Sequence, residues 1–123
     1  MILVDTSVWI DHLHAVESEL VGLLETDRAG CHPLVIEELA LGSIKHRVTV
    51  LDLLASLVRF PTLTHDEVLA LVGGRQLWGR GLSAVDAHLL GSVALVGGAR
   101  LWTRDKRLGS AARDLGVALF SES

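Results

Sequence analysis

Four carboxylates in this 123-residue chain stand where they could work together: Asp5, Glu38, Asp86 and Asp105. Asp5 ends the apolar run Met1 to Val4, and Asp105 follows ARLWT, two residues after Thr103. Both leave the carboxyl end of a predicted buried strand, which is where open α/β sheets place their ligand sites. Glu38 lies inside a helix predicted to open at Pro33, and Asp86 in the first turn of one opening at Ser83. A three-layer fold could bring both to the same sheet edge. Carboxylates packed together repel, and each has its pKa raised unless a cation neutralises the group. Hard oxygen ligands at a strand edge suit Mg²⁺ or Mn²⁺, which keep water and also accept phosphate oxygens. Such an ion activates water and stabilises charge on a phosphodiester during cleavage, without a serine or cysteine nucleophile.

Each acid also has an ordinary reading. Asp5, Thr6 or Ser7 can cap the helix that begins at Val8. Asp86 is the third residue after Ser83, a capping-box spacing. Asp105 can cap the last helix, where an early acid gains about 0.3–1 kcal/mol from the helix dipole. Glu38 can be an exposed helical glutamate, and wheel position does not separate it from Glu37, since Leu34 and Leu41 neighbour both. One alternative is therefore a non-catalytic binding module whose acids only cap helices; it predicts no Mg²⁺-dependent rise in stability. A second is a phospho-accepting, receiver-like signalling domain, with VTVLD as a strand that ends on Asp52. Against it, the first strand offers one acid rather than a pair, and no Lys-Pro pair follows a late strand. The recurrence of strand then acid at both ends of the chain favours the metal site over either.

The elements that must position these acids follow from periodicity and punctuation. Val8 to His14 predicts a short helix, and Ser18 to Arg28 a second, closed by Gly30. Ala29 to His32 predicts a very short strand; Pro33 suits the first turn of a helix that ends at Gly42. Val48 to Arg59 favours helix, although VTVLDLL also reads as a strand. Thr64 with Glu67, and Ser83 with Asp86, mark two helix starts; the first helix ends among Gly73, Gly74 and Gly79, and the second runs from Ala84 to Val96. Arg100 to Thr103 predicts a strand, Asp105 to Leu115 a helix, and Val117 to Phe120 a last strand. Strands alternating with helices imply a three-layer α/β/α sandwich around a short, mostly parallel sheet, as one domain over residues 1–123.

Half of the residues are hydrophobic, which suffices for a packed core and excludes a disordered chain. Cys31 is the only cysteine, so no internal disulfide is possible. Asp5 interrupts the first apolar run before it reaches signal-peptide length, and Leu89 to Ala99 is about half a bilayer span. A soluble, cytoplasmic protein is expected. The formal charge of −4 argues against a protein that coats nucleic acid by broad phosphate neutralisation. Residues 1–61 carry net −5 and residues 62–123 net +1, with Arg100, Arg104, Lys106 and Arg107 clustered late in the chain. Such a run is either a solvated face or a local phosphate contact beside an acidic centre.

MILVDTS, then EL followed two residues later by Gly42, then DAHLLG, then LWTRD, resemble the PIN-domain nucleases, and more narrowly the VapC toxins of bacterial toxin–antitoxin pairs. The resemblance covers essentially the whole chain in order. It implies a PIN-like fold, catalytic roles for Asp5, Glu38, Asp86 and Asp105, and metal ligation by Asp5, Asp86 and Asp105. Thr6, Ser7 and Thr103 would then be polar helpers to a carboxylate or a bound water. It also selects Glu38 over Glu37, through the Glu-Leu-x-x-Gly pattern. Its further implications are an Mg²⁺- or Mn²⁺-dependent endoribonuclease that leaves a 5′-phosphate and a 3′-hydroxyl, and a VapB-type antitoxin as partner. Cys31, His32 and Pro33 depart from the serine or threonine common before the third helix of relatives, which removes an expected polar helper. An acidic protein would grip RNA through a few arginines, such as Arg75, Arg80 and Arg104. A homodimer is expected, as for most small soluble oligomers.

The six histidines lack ligand spacing, which argues against zinc: His12 and His14, two apart, do not share a helix face, and His32, His46, His65 and His88 are scattered. Trp9, Trp78 and Trp102 could stack on unpaired bases, but packing is the commoner use of so large an apolar ring.

Overall fold

A computed structural model describes all residues 1–123. The chain runs β1 (Ile2–Val4), α1 (Thr6–His14), α2 (Ser18–Glu25), β2 (Ala29–Cys31), α3 (Pro33–Leu41), α4 (Arg47–Ser56), β3 (Val58–Arg59), α5 (His65–Gly74), α6 (Ala84–Ala94), β4 (Arg100–Trp102) and α7 (Lys106–Leu115). The four strands form one parallel sheet in the order β3-β2-β1-β4. Every β1 side chain is buried, as its unbroken apolar run requires in a sheet covered on both faces. The three-layer α/β/α reading therefore holds.

Topology decides where a ligand can go. From β1 the chain steps one way to β2 and β3, then returns to place β4 on the other side of β1. Strand order thus reverses between β1 and β4, and the crevice beyond their carboxyl ends is where such sheets accept ligands. Register locks the two strands together: Ile2, Leu3 and Val4 pair with Arg100, Leu101 and Trp102, and the Asp5 N–H continues the ladder to the Trp102 carbonyl at 2.9 Å. One buried cluster of 24 residues runs through the domain, with Trp9 and Trp102 its largest members. Two of the three tryptophans are accordingly packing residues, whereas Trp78 is 63% exposed.

Two expectations are corrected. VTVLDLL is helical, inside α4, and Asp52 is an exposed mid-helix residue rather than a strand-end acid. Only Leu54 of α4 is fully buried, so that segment lacks the two buried faces that a central parallel strand would present. The receiver-like reading falls with it. Val117 to Phe120 forms no strand; a single parallel bridge joins Leu119 to Leu101. Two more elements differ: Gly30 does not close α2, which ends at Glu25, but lies inside β2, and Val58 and Arg59, read as the end of a helix, form β3 beside β2; the remaining boundaries move by a few residues at most.

The thin strand β2 depends on a missing side chain. A Cβ on Gly30 would lie 2.4 Å from the ring of Phe60, which is buried, and 3.1 Å from the Val58 carbonyl. Gly22 in α2 has nothing within 4 Å of the same position. Gly30→Ala is expected to cost about 1–3 kcal/mol through overpacking, and Gly22→Ala to add about 0.5–1 kcal/mol through helix propensity. Urea unfolding of the two variants should displace the midpoint in opposite directions.

Candidate active site

The sheet's switch point is built around Asp5. It is only 6% exposed, and three donors hold it. Its Oδ1 accepts the Thr6 N–H at 2.8 Å; its Oδ2 accepts the hydroxyls of Ser7 and Thr103, each at 2.7 Å. The Thr103 bond crosses from the end of β4 to the end of β1. Thr103 Oγ1 in turn accepts the Asp105 N–H at 3.0 Å, and Ser7 Oγ accepts the Arg104 N–H at 3.1 Å. Thr6 faces the other way, donating to Glu38 Oε1 at 2.6 Å. A hydrogen-bonded chain thus runs from Glu38 on α3, through α1 and Asp5, to Asp105 at the start of α7. Glu37 takes no part in it.

Asp86 joins by charge rather than by hydrogen bonds. Burial raises its pKa most, and the carboxylates of Asp5 and Asp105 raise it further, while hydrogen bonds from Ser83 act in the opposite direction. Like charges at this separation are what a cation relieves.

Three of the acids do cap helices. Asp5 caps α1; Asp86 forms a reciprocal capping box with Ser83; Asp105 Oδ1 accepts the N–H groups of Arg107 and Leu108 at 2.9 and 3.1 Å. Each of Asp86, Asp105 and Glu38 nevertheless keeps an oxygen with no protein donor: Oδ1, Oδ2 and Oε2 respectively. No group of three or more His, Cys, Asp or Glu side chains is gathered tightly enough to hold a metal ion. Mg²⁺ is bound through one or two carboxylates and keeps several waters. The donor set fits such an ion: all hard oxygens, mutually repelling, with free lone pairs.

The arginines separate into different roles. Arg104, expected to grip substrate, is turned inward. Its Nη1 meets Asp11 and Glu17 at 2.7 and 2.9 Å, its Nε meets Glu122 at 2.6 Å, and its guanidinium carbon lies 5.9 Å from the centre of the Trp102 ring. Its hydrogen bonds to Glu17, Asp11 and Glu122 raise its pKa, and those to Arg104 lower the pKa of Glu17 and Glu122. Exposed pairs contribute only about 0.2–1 kcal/mol each; here their effect is to anchor the loop between Thr103 and Asp105. Arg80 pairs with Asp114 at 2.7 Å, and Arg75 reaches the Asp114 carbonyl at 3.5 Å.

One residue was missed. His32, where a hydroxyl was expected, caps α3 with Nδ1 accepting the Leu34 N–H at 3.0 Å. Burial pushes its pKa down to about 4, so the ring stays neutral and can accept. Its position immediately before a proline at the first helical turn was the available signal.

Comparison with known proteins identifies the family and the fold. The PIN domain family model matches residues 2–114. Ribonuclease VapC32 of two Mycobacterium tuberculosis strains is 75% identical over 122 residues, covering 99% of this chain and 98% of the relative. Among solved structures, PAE2754 from Pyrobaculum aerophilum matches with a TM-score of 0.56 and 24% identity, over 89% of this chain and 78% of that one. FitAB bound to an IR36 DNA fragment matches with a TM-score of 0.59 and 18% identity, over 98% and 94%. These two likenesses concern the fold. The chain belongs to the PIN-domain family, within its VapC type.

Asp86→Asn removes a charge but keeps an oxygen for the Ser83 N–H. A carboxyl whose pKa rises on folding costs stability above the raised value and nothing below the unfolded value. Melted without divalent ions at pH 7, the variant should match or exceed the wild type. The gap should close as pH falls through the raised value toward the ordinary 3.8. A deficit that is the same at every pH would show that the acids do not repel.

Proposed function

We propose that this PIN-domain chain is a metal-dependent endoribonuclease, the toxin of a type II toxin–antitoxin pair. The observation that carries the reading is Asp5, pinned by three donors at the switch point, with the charges of Asp5 and Asp105 acting on Asp86 and the Thr6 hydroxyl tying Glu38 to the same helix start. Asp5, Asp86 and Asp105 would hold Mg²⁺ or Mn²⁺. Bound there, the ion supplies charge neutralisation, a more acidic water and stabilisation of charge on a phosphodiester.

The protein's own contribution is orientation. Ser7 and Thr103 fix the Asp5 carboxylate so that it does not reorganise as charge develops, which is how preorganised sites lower barriers. Glu38 is exposed, and Thr6 holds one of its oxygens so that the other is available to accept a proton from an attacking water. A single-stranded loop in a folded RNA suits the open crevice, because unstacked nucleotides can enter it. The relative's name, ribonuclease VapC32, supports RNA as substrate. The same acids suit control by an antitoxin helix: a guanidinium pushed among them takes the cation's place and pairs with carboxylates. A homodimer, with the substrate side of each copy open, is part of this reading.

Only the capping of three helices favours the rival binding module, and two measurements separate the readings. Saturating Mg²⁺ should raise the unfolding free energy by mass action, about 2.7 kcal/mol at 100 times Kd. Cleavage of a labelled stem-loop RNA should stop in EDTA and fall at least about 100-fold in Asp5→Ala and Asp86→Asn. Undiminished cutting by these variants, or cutting in EDTA, would overturn the proposal.

A further inference from the structure

The acid cluster leaves a difficulty: a chain of net charge −4 must hold a polyanion beside its own carboxylates. Arg104 cannot help, because three carboxylates occupy it. An open cleft of about 320 Å³ is lined by Arg80, Lys106, Arg107 and Ser110, residues that adjoin the same two helix starts in the chain. Three of its four residues are cationic and none is acidic. All the ion pairs of the chain belong to Arg80 or Arg104, so Lys106 and Arg107 meet no carboxylate.

The cleft is built into the site. Lys106 and Arg107 follow Asp105 directly, and the Arg107 N–H is one of the two that the Asp105 carboxylate accepts. The facing loop contains Arg80 and Gly81 and runs straight into Ser83, the cap that holds Asp86. Gly81 has φ +76°, and a Cβ there would lie 2.9–3.2 Å from the Arg107 side chain. A glycine thus lets the Arg107 arm lie flat across the loop. The helix start that presents Asp105 therefore presents, alongside, two cations free to bind an anion, Lys106 and Arg107, while Arg80 on the facing loop is held by Asp114.

We propose that this cleft is a phosphate subsite for the RNA backbone, holding a phosphodiester that flanks the one to be cut. The inference rests on the endoribonuclease reading and adds to it the place where the strand lies. Unspecific backbone contacts fix register without reading sequence. They should also confer salt dependence, with a slope of about 0.7 per phosphate held on single strands.

The test compares wild type with Arg107→Gln and with the double variant Lys106→Gln/Arg107→Gln on labelled stem-loop RNAs of two unrelated sequences. Cleavage is followed in Mg²⁺ from 50 to 200 mM salt, with the Mg²⁺-induced melting shift and anisotropy binding of the same RNAs measured in parallel. The double variant should raise KM roughly tenfold, equally for both sequences, with any loss in kcat smaller. The salt slope should flatten by about 0.7 per contact removed, and the Mg²⁺ melting shift should persist. An unchanged KM and slope would overturn the subsite; so would a loss of the melting shift, which would assign these residues to the acid cluster. Should wild type cut neither RNA, the endoribonuclease reading fails separately. Anisotropy then decides the cleft: weaker binding by the double variant supports it, and equal binding overturns it.

Discussion

The site rests on a bond between residues 98 positions apart, Thr103 Oγ1 to Asp5 Oδ2 at 2.7 Å. It ties the ends of two adjacent parallel strands at the point where strand order reverses. A half-satisfied carboxylate at that depth would be costly, since burying an unpaired charge is among the most unfavourable things a fold can do. Three donors make it tolerable. They also leave it fixed, so that the remaining acids are arranged about a stationary negative charge. The long register of β1 against β4 and the Arg104 anchor both hold the walls of this crevice at constant separation.

Capping and ligand binding, which compete as explanations of an acid at a helix start, are compatible in this arrangement. The Ser83 N–H takes one oxygen of Asp86 and leaves the other; the first-turn N–H groups of α7 do the same for Asp105. A cap restricts the rotamer of the side chain at little entropic cost, because the helix start is already ordered. One oxygen serves the backbone while its twin is presented. The raised pKa of Asp86 reflects first its burial and then the charges of Asp5 and Asp105 beside it. Carboxylates that destabilise the empty protein and gain their energy from a ligand are the expected pattern at a working site.

What the amino-acid order revealed follows from range. The first strand with its acid, and the two capping boxes at Thr64 and Ser83, are encoded within three or four residues, and each is where local patterning puts it. VTVLDLL was ambiguous because its apolar residues satisfy helix and strand alike; packing of Leu54, with Val50 and Leu51 beside it, decided for helix. The strand at Val117 to Phe120 shrank to one bridge because it meets the sheet only at its edge. Arg104 was misread because its partners Asp11, Glu17 and Glu122 are distant along the chain, and a charge run does not reveal its partners. The helix wheel treats the two glutamates of α3 alike; the Glu-Leu-x-x-Gly pattern singles out Glu38, and it is Glu38 that accepts the Thr6 hydroxyl.

The separation of Asp5 from Thr103 bears on how the protein is made. At about 5–20 residues per second, roughly 5–20 s of translation pass between the two. Throughout that interval the growing polypeptide has one wall of its crevice and not the other. While it emerges from a ribosome, itself largely RNA, it cannot yet assemble the complete set of carboxylates. Placing the two halves of the site 98 residues apart delays its assembly until both have been made.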